Sequence, residues 1–401
     1  MFRLTNENRQ IVLDALAETG GNQSAATALL KSRGYNCSRG TVQRVAKQGN
    51  SEAHQLAKIA HLTAEVRSLR SKNSRLLQQL GARDEFHDNL LAAVTPITPQ
   101  PPFKQSLLRG APLVEMVWLF SDAHVGQAIH AAEVNNFNEY NYKIALARMR
   151  FLTDNIIKYA STIRSGYKLT SLSVICLGDN IHGEIHDEYV RTNEFTVPES
   201  IVRAAQLLAG GLAHLAPHFR TLDVHGLLCD NHGRSTRKPA SASAARTSYN
   251  ITLFALLKAY MQKHSNIRIH TYESARAHIR VQSHTFLCEH GDMVRSVLGT
   301  PIYGLTRADL AQAKRHLKQK ESFDYHLWAH WHVPLIGPFG IVNGAFVGPD
   351  EYSTNRLPYS AVADASQWTF LVHPTHGCFN FVPWSLRYAH LTSNRKQTNK
   401  Q

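Results

Sequence analysis

Residues 172–183, LSVICLGDNIHG, decide the fold, because an apolar run leads directly into a turn that carries Asp179 and His182. A short apolar run bounded by a Gly-rich polar turn is typical of a buried β-strand. In open α/β sheets, ligands bind at the carboxyl ends of the strands. The stretch therefore predicts a strand that delivers a carboxylate and an imidazole to a binding edge.

Four further apolar runs end in the same way. Each is followed within a few residues by Asp, Asn or His: Met116–Phe120 by Asp122 and His124, Leu222–Leu228 by Asn231 and His232, Thr285–Cys288 by His290, and Tyr325–Trp328 by His330 and His332. From about residue 113 onward, such runs alternate with helical patterns, which predicts an α/β domain. We expect the polar side chains to converge at one edge.

Seven of these side chains can ligate a metal: Asp122, His124, Asp179, Asn231, His290, His330 and His332. Oxygen and nitrogen donors without thiolate suit manganese, iron or zinc. Seven ligands are too many for one ion with an open position, but they fit two ions that share a carboxylate. Paired ions clamp a phosphoryl group and generate hydroxide near neutral pH. Each motif alone is common by chance, whereas the five together predict a metal-dependent phosphoesterase.

The order Asp-x-His, Gly-Asp-x-x-His-Gly, Asn-His, His-Gly, His-x-His resembles the calcineurin-like metallophosphoesterases, which include protein phosphatases, cyclic-nucleotide phosphodiesterases and DNA-repair exonucleases. The resemblance covers residues 113–385 and implies an α/β/β/α sandwich, in which helices flank two stacked sheets. Residues 343–352 and 373–377 are also similar to segments of phosphoesterases encoded by bacterial viruses. The alternative for both segments is a pair of ordinary hairpins in the second sheet.

The resemblance also implies roles for individual residues. It assigns the ligands to two ions, with Asp122, His124 and His332 on the first, Asn231, His290 and His330 on the second, and Asp179 bridging both. His232 would contact the scissile phosphate and protonate the leaving oxygen. A metal-bound hydroxide would attack in line with that oxygen, without a covalent enzyme intermediate.

The sequence departs from the family around Asn231. Asp230 replaces the usual Gly before Asn231, and Gly233-Arg234 follows His232 where an acid is common, so the orientation of His232 is open. A guanidinium suits bidentate phosphate binding, and we predict phosphate contacts for Arg234, Arg237 and Lys238. His182 is predicted either to touch substrate or to support a metal ligand from behind.

The N-terminal region, residues 1–50, reads as three short helices: Asn8–Glu18, Asn22–Leu30 and Arg39–Lys47. Ala25, Ala26, Leu29 and Leu30 form the predicted buried face of the second, and Val42 and Val45 that of the third. The pattern resembles a helix-turn-helix unit whose third helix would present Arg39, Thr41, Gln43 and Arg44 to DNA. The alternative is a three-helix bundle that binds protein.

Residues 51–90 predict a coiled-coil helix that forms a homodimer through residues 59–80. Apolar residues and one asparagine recur every three and four positions, namely Ile59, Leu62, Val66, Leu69, Asn73, Leu76 and Leu80. An asparagine at an a position favours a two-stranded pair. The alternative is a single helix packed on its own catalytic domain. A Pro-rich linker over 91–112, the phosphoesterase domain over 113–390 and a disordered tail over 391–401 complete the predicted organisation.

The bulk composition favours phosphate-rich partners and a soluble setting. The formal net charge is +14, which is most simply explained by a nucleic-acid partner. No apolar stretch reaches the length of a membrane span, and residues 1–10 lack the apolar core of a secretory signal. Five isolated cysteines predict buried thiols in a reducing cytoplasm.

Together these features predict a DNA nuclease that uses two divalent ions, Mn²⁺ first, with Fe²⁺ or Zn²⁺ as alternatives. A phosphatase that acts on phosphoprotein or nucleotides is the second hypothesis, because ligand motifs fix the reaction type and not the substrate. The third is a DNA-binding or regulatory protein whose phosphoesterase domain is a scaffold.

Overall fold

The computed structural model describes residues 4–101, 110–236, 238–239, 242–296, 301–355 and 363–389. Within its longest helix it describes the backbone throughout and the side chains except at 49–57, 59, 76–80 and 82–83. The predicted tail over 391–401 and most of the predicted linker after residue 101 lie outside the described residues. The chain divides into two units, Met1–Asp88 and Asn89–Gln401, which are described separately.

The helices are α1 (Asn6–Glu18), α2 (Gln23–Ser32), α3 (Arg39–Ala92), α4 (Tyr142–Ile163), α5 (Tyr189–Thr192), α6 (Val197–Leu215), α7 (Asn250–Met261), α8 (Pro301–Lys318) and α9 (Glu351–Asn355). The strands are β1 (Leu113–Phe120), β2 (Lys168–Cys176), β3 (Thr221–Leu227), β4 (Ile267–Tyr272), β5 (Arg276–Val281), β6 (His284–Glu289), β7 (Tyr325–Trp328), β8 (Leu335–Gly337), β9 (Gly340–Val342), β10 (Ser366–His373) and β11 (Gly377–Ser385). Among the described helices, none is both long and apolar enough to cross a membrane.

The N-terminal unit has a small core of its own. α1, α2 and the start of α3 enclose Val12, Ala15, Leu16, Ala26, Leu30, Cys37, Val42 and Val45. The side chain of Asn22 caps α2 by accepting from the backbone N–H groups of Ser24 and Ala25 at 3.1 and 3.2 Å. Ala25 was predicted to be buried but is exposed, because the face of α2 that meets the core is centred on Ala26 and Leu30.

The predicted third helix and the predicted coiled-coil helix are one continuous helix, α3, of 54 residues. The predicted boundary near residue 50 does not interrupt the helix. Gly49 lies within α3, because a single glycine costs only about 1 kcal/mol in a helix and does not end it. Leu62, Val66 and Leu69 on α3 are 48%, 46% and 57% exposed. The side chains of Ile59, Leu76 and Leu80, which complete the predicted stripe, lie outside the described residues.

The start of the predicted linker packs on the second unit. α3 ends at Ala92, and Leu90, Leu91, Val94 and Ile97 pack against the main core of that unit. The backbone N–H of Ile97 donates to the carbonyl of Tyr260 at 3.0 Å. Residues 90–97 therefore form part of the second unit rather than a free connection.

A six-stranded sheet of order β11-β10-β1-β2-β3-β4 positions most of the polar turns. β1 to β4 are parallel to one another, and β10 pairs antiparallel with β1. Strands buried on both faces have continuous apolar runs. In β1, Met116 and Trp118 accordingly belong to the core that holds α4, α6 and α7, while Val117 and Leu119 belong to a second core.

The second sheet has the order β5-β6-β7-β9-β8. Its inner face, including Phe286 and Leu327, meets Val117 and Leu119 in the second core. Leu305 of α8 packs on Trp328 at the opposite face. Two sheets with helices outside them agree with the expected α/β sandwich. The 373–377 segment is the tip of the β10–β11 hairpin at the edge of the first sheet, so its alternative placement in the second sheet was wrong.

Arg148 of α4 ties this scaffold to the loop that follows β9. Its buried guanidinium donates to the carbonyls of Phe346 and Val347 at 3.0 and 2.8 Å and to the side-chain oxygen of Asn138 at 2.7 Å. Burial lowers the pKa of Arg148 to about 10, which leaves it charged at neutral pH. The N–H of Val347 in turn donates to the carbonyl of Asp122 at 2.9 Å.

Replacing Arg148→Met should destabilise the protein by about 2–5 kcal/mol, because buried carbonyls lose their donors while the volume is kept. Urea denaturation measures the change. Arg150→Met, on the exposed side of the same helix, is the control and should change stability by less than about 0.5 kcal/mol. Equal stability of the two variants would contradict the role given to Arg148.

Candidate metal centre

The seven predicted metal ligands lie together at the carboxyl ends of β1, β2, β3, β6 and β7. They fall into two groups of neighbouring ligand atoms: Asp122, His124 and His332 in one, and Asp179, His290 and His330 in the other. Within each group the ligand atoms lie within 4.8 Å of one another. The seventh residue, Asn231, joins the second group, since its Oδ1 lies 2.8 Å from His290 Nε2.

The first group contains polar atoms that the surrounding protein does not satisfy. Asp122 Oδ2 and His124 Nε2 are buried and have no hydrogen-bond partner among the described residues. Burying a charged or polar atom without a partner is unfavourable by several kcal/mol. His332 Nε2 lies 3.4 Å from Asp122 Oδ1. Unsatisfied oxygen and nitrogen atoms that face one another fit a divalent cation.

The second group is organised around His290. Its Nδ1 donates to the carbonyl of Leu177 at 2.9 Å, which turns Nε2 towards Asn231 and Asp179. Burial lowers the pKa of His290, but the charge and hydrogen bond of Asp179, together with the charges of Asp122 and Asp230, hold that pKa well above the usual range. Metal ligands must be deprotonated, so a cation at Nε2 would occupy the position of the proton.

The carboxylate of Asp179 lies between the two groups. Its Oδ2 is 3.0 Å from His290 Nε2 and 3.7 Å from His124 Nε2. Burial raises the pKa of Asp179, but His290 and then His232 outweigh burial and hold it well below the usual range. An ionised carboxylate that faces both groups is placed to bridge two cations.

Sharp turns after the strands bring the ligands into position. Five of the seven have a positive φ, with values of 52° for Asp122, 43° for His124, 49° for Asp179, 70° for His330 and 57° for His332. This conformation costs roughly 1–3 kcal/mol for a residue other than glycine and clusters at functional sites. Gly178 has φ 109°, and a Cβ there would lie 2.9 Å from His290 Nδ1, so no larger residue fits.

His232 is oriented by backbone groups. Its N–H donates to Asp179 Oδ1 at 3.0 Å, and its ring Nδ1 donates to the carbonyl of His182 at 2.7 Å. Nε2 is therefore the ring nitrogen available to a ligand in the cleft. The orientation of the His232 ring, which the sequence left open, thus depends on the backbone carbonyl of His182. Residue identities do not reveal such a contact.

His182 itself lies behind His124. The two Nδ1 atoms are 3.1 Å apart, and the His182 ring packs on Tyr189 with centroids 4.0 Å apart. Burial lowers the pKa of His182 well below its usual value. His182 is not one of the described residues that line the cleft. Its position therefore fits a role in supporting His124 better than contact with substrate.

Asp230 and Asn250 are two further residues of the candidate centre whose contacts the sequence did not reveal. Asp230 Oδ2 accepts from the N–H of Asp179 and from Asn250 Nδ2, each at 2.7 Å, while Oδ1 accepts from the N–H of Gly233 at 2.7 Å. Burial and then the charge of Asp179 raise the pKa of Asp230 to about 7. The unusual Asp before Asn231 was a visible signal, whereas Asn250, at the start of α7, carried none.

The three residues predicted to contact phosphate differ in their surroundings. Arg234 Nη1 donates to the carbonyl of Asn231 at 2.7 Å and its Nε to that of Thr236 at 3.0 Å, so its guanidinium holds the ligand loop. Lys238 is exposed, and Arg237 lies outside the described residues.

The predicted DNA-binding residues lie on the first turns of α3. Arg39, Gln43 and Arg44 are exposed, and Thr41 is half-buried. The hydroxyls of Thr41 and Ser38 are 3.0 Å apart. DNA contact by these residues stays a prediction.

Two cavities adjoin the centre. A cleft of about 460 Å³ is lined by metal-ligand candidates and by His232, with Tyr189, Trp331 and Tyr352 as further aromatic rings. A cavity of about 880 Å³ reaches His290 and is lined by residues of both charges, among them Arg234, Arg246, Arg276, Asp230, Glu273, Glu289 and Asp292. The centre is thus open to a ligand larger than a phosphate ion.

No protein-family model and no curated protein matches the chain. Among solved structures, it is similar to Vacuolar Protein Sorting 29 (Vps29) from Cryptosporidium parvum, with 11% identity over 68% of this chain and 99% of that one and a TM-score of 0.26. Vps29 from Chaetomium thermophilum gives 9% identity, 67% and 98% coverage and a TM-score of 0.26. Wild-type Vps29 from Entamoeba histolytica, complexed with Zn²⁺, is 11% identical over 68% of this chain and 99% of that one, with a TM-score of 0.22. Similarity at these TM-scores carries no conclusion about function.

Asp230→Ala should weaken Mn²⁺ binding about 10–100-fold, because the turn that holds Asp179 loses its acceptor. Isothermal titration of the protein with Mn²⁺ measures the affinity. Asp223→Ala serves as the control, since Asp223 lies on β3, the strand that leads to Asp230, but pairs with Arg268. Unchanged Mn²⁺ affinity in Asp230→Ala would show that Asp230 does not position the centre.

Proposed function

We propose that this chain is a two-metal-dependent phosphodiester hydrolase and that its substrate is DNA. The observation that carries the proposal is the position of Asp179 between two groups of Asp and His ligand atoms at one sheet edge. The order of the motifs, which resembles the calcineurin-like metallophosphoesterases, supports the same reaction class. Asp122, His124 and His332 would hold one ion, and Asn231, His290 and His330 the other.

Mn²⁺ suits this donor set, with Fe²⁺ and Zn²⁺ as alternatives. When bound, a pair of such ions supplies an activated water and neutralises charge on the phosphoryl oxygens. The metal-ligand residues themselves would fix the position of the phosphate. The cleft of about 460 Å³ leaves room for a substrate larger than a phosphate ion.

His232 would donate the proton to the leaving oxygen. Its Nδ1 proton is committed to the carbonyl of His182, so the transferred proton must be held at Nε2. Burial lowers the pKa of His232 and Asp179 opposes this effect. A phosphate bound next to the ring adds negative charge, which favours the doubly protonated form needed for transfer.

Several features support a nucleic-acid substrate. The net charge of +14 attracts polyanions. Tyr189, Trp331 and Tyr352 line the cleft, and aromatic rings are the side chains on which unpaired bases stack. Arg39 and Arg44 are exposed on α3 of the N-terminal unit, where the helix-turn-helix interpretation places the DNA contacts.

Asp179→Asn should abolish Mn²⁺-dependent hydrolysis of labelled DNA and of bis-p-nitrophenyl phosphate, because the carboxylate shared by both ions is lost.

His232→Ala should keep its bound metal and cleave DNA about 100-fold or more slowly. The same variant should lose less activity on the p-nitrophenyl ester, whose leaving group needs no proton. Arg39→Ala/Arg44→Ala should slow only the cleavage of DNA.

Other outcomes would change the assignment. Hydrolysis of mono-p-nitrophenyl phosphate alone would favour the phosphatase hypothesis over the nuclease. Near-normal activity of Asp179→Asn would contradict the two-metal centre. Failure of the protein to retain metal under saturating Mn²⁺ would leave the phosphoesterase domain as a scaffold.

We also propose that α3 pairs with α3 of a second copy. Leu62, Val66 and Leu69 form an exposed apolar stripe on this helix, and the a and d spacing is that of a two-stranded coiled coil.

Val66→Glu/Leu69→Glu should convert a dimer into a monomer in analytical ultracentrifugation. Leu317→Glu, an equally apolar and 76% exposed position on α8, should leave the dimer intact. A monomeric wild type at micromolar concentration would refute the pairing.

A further inference from the structure

A second cluster of metal-ligating side chains lies away from the candidate metal centre, where α8 ends beside the edge strand β5. His278 is in β5, His316 is in the last turn of α8, and Glu321 follows that helix. One ligand atom from each residue lies within 4.8 Å of the others. The rings of His278 and His316 are nearly perpendicular, with centroids 4.6 Å apart.

His316 lacks a hydrogen-bond partner for its ring. The residue is only 7% exposed, and neither Nδ1 nor Nε2 bonds to any of the described residues. The nearest carboxylate oxygen, Glu321 Oε2, lies 3.9 Å from Nδ1, which is too long for a hydrogen bond. A buried polar group without a partner requires an explanation, and an ion is one of the accepted ones.

The backbone at the end of α8 holds Glu321 beside His316. The N–H of Glu321 donates to the carbonyl of His316 at 3.0 Å, and the N–H of Lys320 donates to that of Leu317 at 3.2 Å. Lys320 has φ 58°. These two hydrogen bonds and the left-handed Lys320 form a Schellman motif. The motif turns the chain back over the last turn of α8, so Glu321 lies beside His316. The placement of the carboxylate is therefore built into the helix end.

We propose that His278, His316 and Glu321 form a binding site for one transition-metal ion, with zinc as the best fit. Two imidazoles and a carboxylate are an established donor set for zinc, and water completes the tetrahedron. Zinc–nitrogen bonds of about 2.0–2.1 Å require neighbouring ligand atoms roughly 3.3 Å apart. The exposed side chains of His278 and Glu321 can rotate to close that distance around the fixed ring of His316.

Arg276 and Arg315 oppose a further positive charge at His316, whereas the Glu321 carboxylate favours one. Arg276 lies on the same strand as His278, but its Nε is 3.0 Å from Glu289 Oε1, so its charge is balanced within the protein. Occupation of the site would join the end of α8 to the edge strand of the second sheet. The ion would thus stabilise the outer layer of that sheet, independently of the catalytic proposal.

The test counts bound zinc in the intact protein. Wild type, His278→Gln and Glu321→Gln are dialysed against buffered micromolar Zn²⁺, and the ions per chain are measured by native mass spectrometry. Each variant should bind one ion fewer than wild type, because each substitution removes a proposed ligand. Both replaced side chains are exposed, so neither substitution should disturb the core. The difference of one ion is expected whether or not the candidate metal centre fills.

His130→Gln, an exposed histidine elsewhere on the same unit, is the matched control and should bind as many ions as wild type. Thermal unfolding gives a second measurement, since zinc should raise the Tm of wild type more than that of either variant. Equal ion counts in wild type and either variant would overturn the site. Loss of one ion in His130→Gln as well would reduce the finding to nonspecific histidine binding and would also overturn it.

Discussion

The candidate metal centre depends on the fixed position of the Asp179 carboxylate. Oδ1 of Asp179 accepts the N–H of His232, while Oδ2 faces His290 and His124. The backbone N–H of the same residue is bound by Asp230. One side chain thereby links β2 to the turns after β3, β6 and β1. One oxygen of this carboxylate therefore faces both ligand groups, while the other fixes its orientation.

The turns that present the ligands are strained, and the strain falls on the ligands themselves. Five Asp and His residues in the turns after β1, β2 and β7 lie in the left-handed region, at a combined cost that reaches several kcal/mol. The unsatisfied atoms of Asp122 and His124 add to that cost. A fold selected only for stability would replace such residues by glycine or by apolar side chains. Their presence indicates that the surrounding β-sheets stabilise the fold enough to hold a functional site.

The strands that carry the ligands were predictable because they are buried on both faces, so their sequences are unbroken apolar runs. The seven ligands followed from their places after those runs. β5 was not predicted, although its alternation of buried and exposed residues is the pattern of a half-buried strand. The hydrogen bonds of Asp230 to Asn250 and of His232 to the His182 carbonyl depend on distant segments meeting, which no local pattern encodes. The hydrogen bonds of Arg234 to backbone carbonyls were likewise invisible in the sequence, and its phosphate contact stays a prediction.

The N-terminal boundaries illustrate a different limit. The sequence marks where helices are favoured, but the end of a helix depends on small local differences in free energy. Gly49 lies within α3 without ending it, whereas Gly20 and Gly21 follow the end of α1. The Pro-rich segment after α3 correctly excluded further helix up to residue 101, yet the contact of Ile97 with Tyr260 shows that an extended segment can still belong to a core.

Electron paramagnetic resonance of the protein loaded with two equivalents of Mn²⁺ reports whether two ions share a bridging group, and it is therefore the decisive measurement for Asp179. We expect the spectrum of an exchange-coupled pair of ions in wild type and loss of that coupling in Asp179→Asn. A wild-type spectrum that contains only isolated Mn²⁺ ions at two equivalents would contradict a centre built around a shared carboxylate.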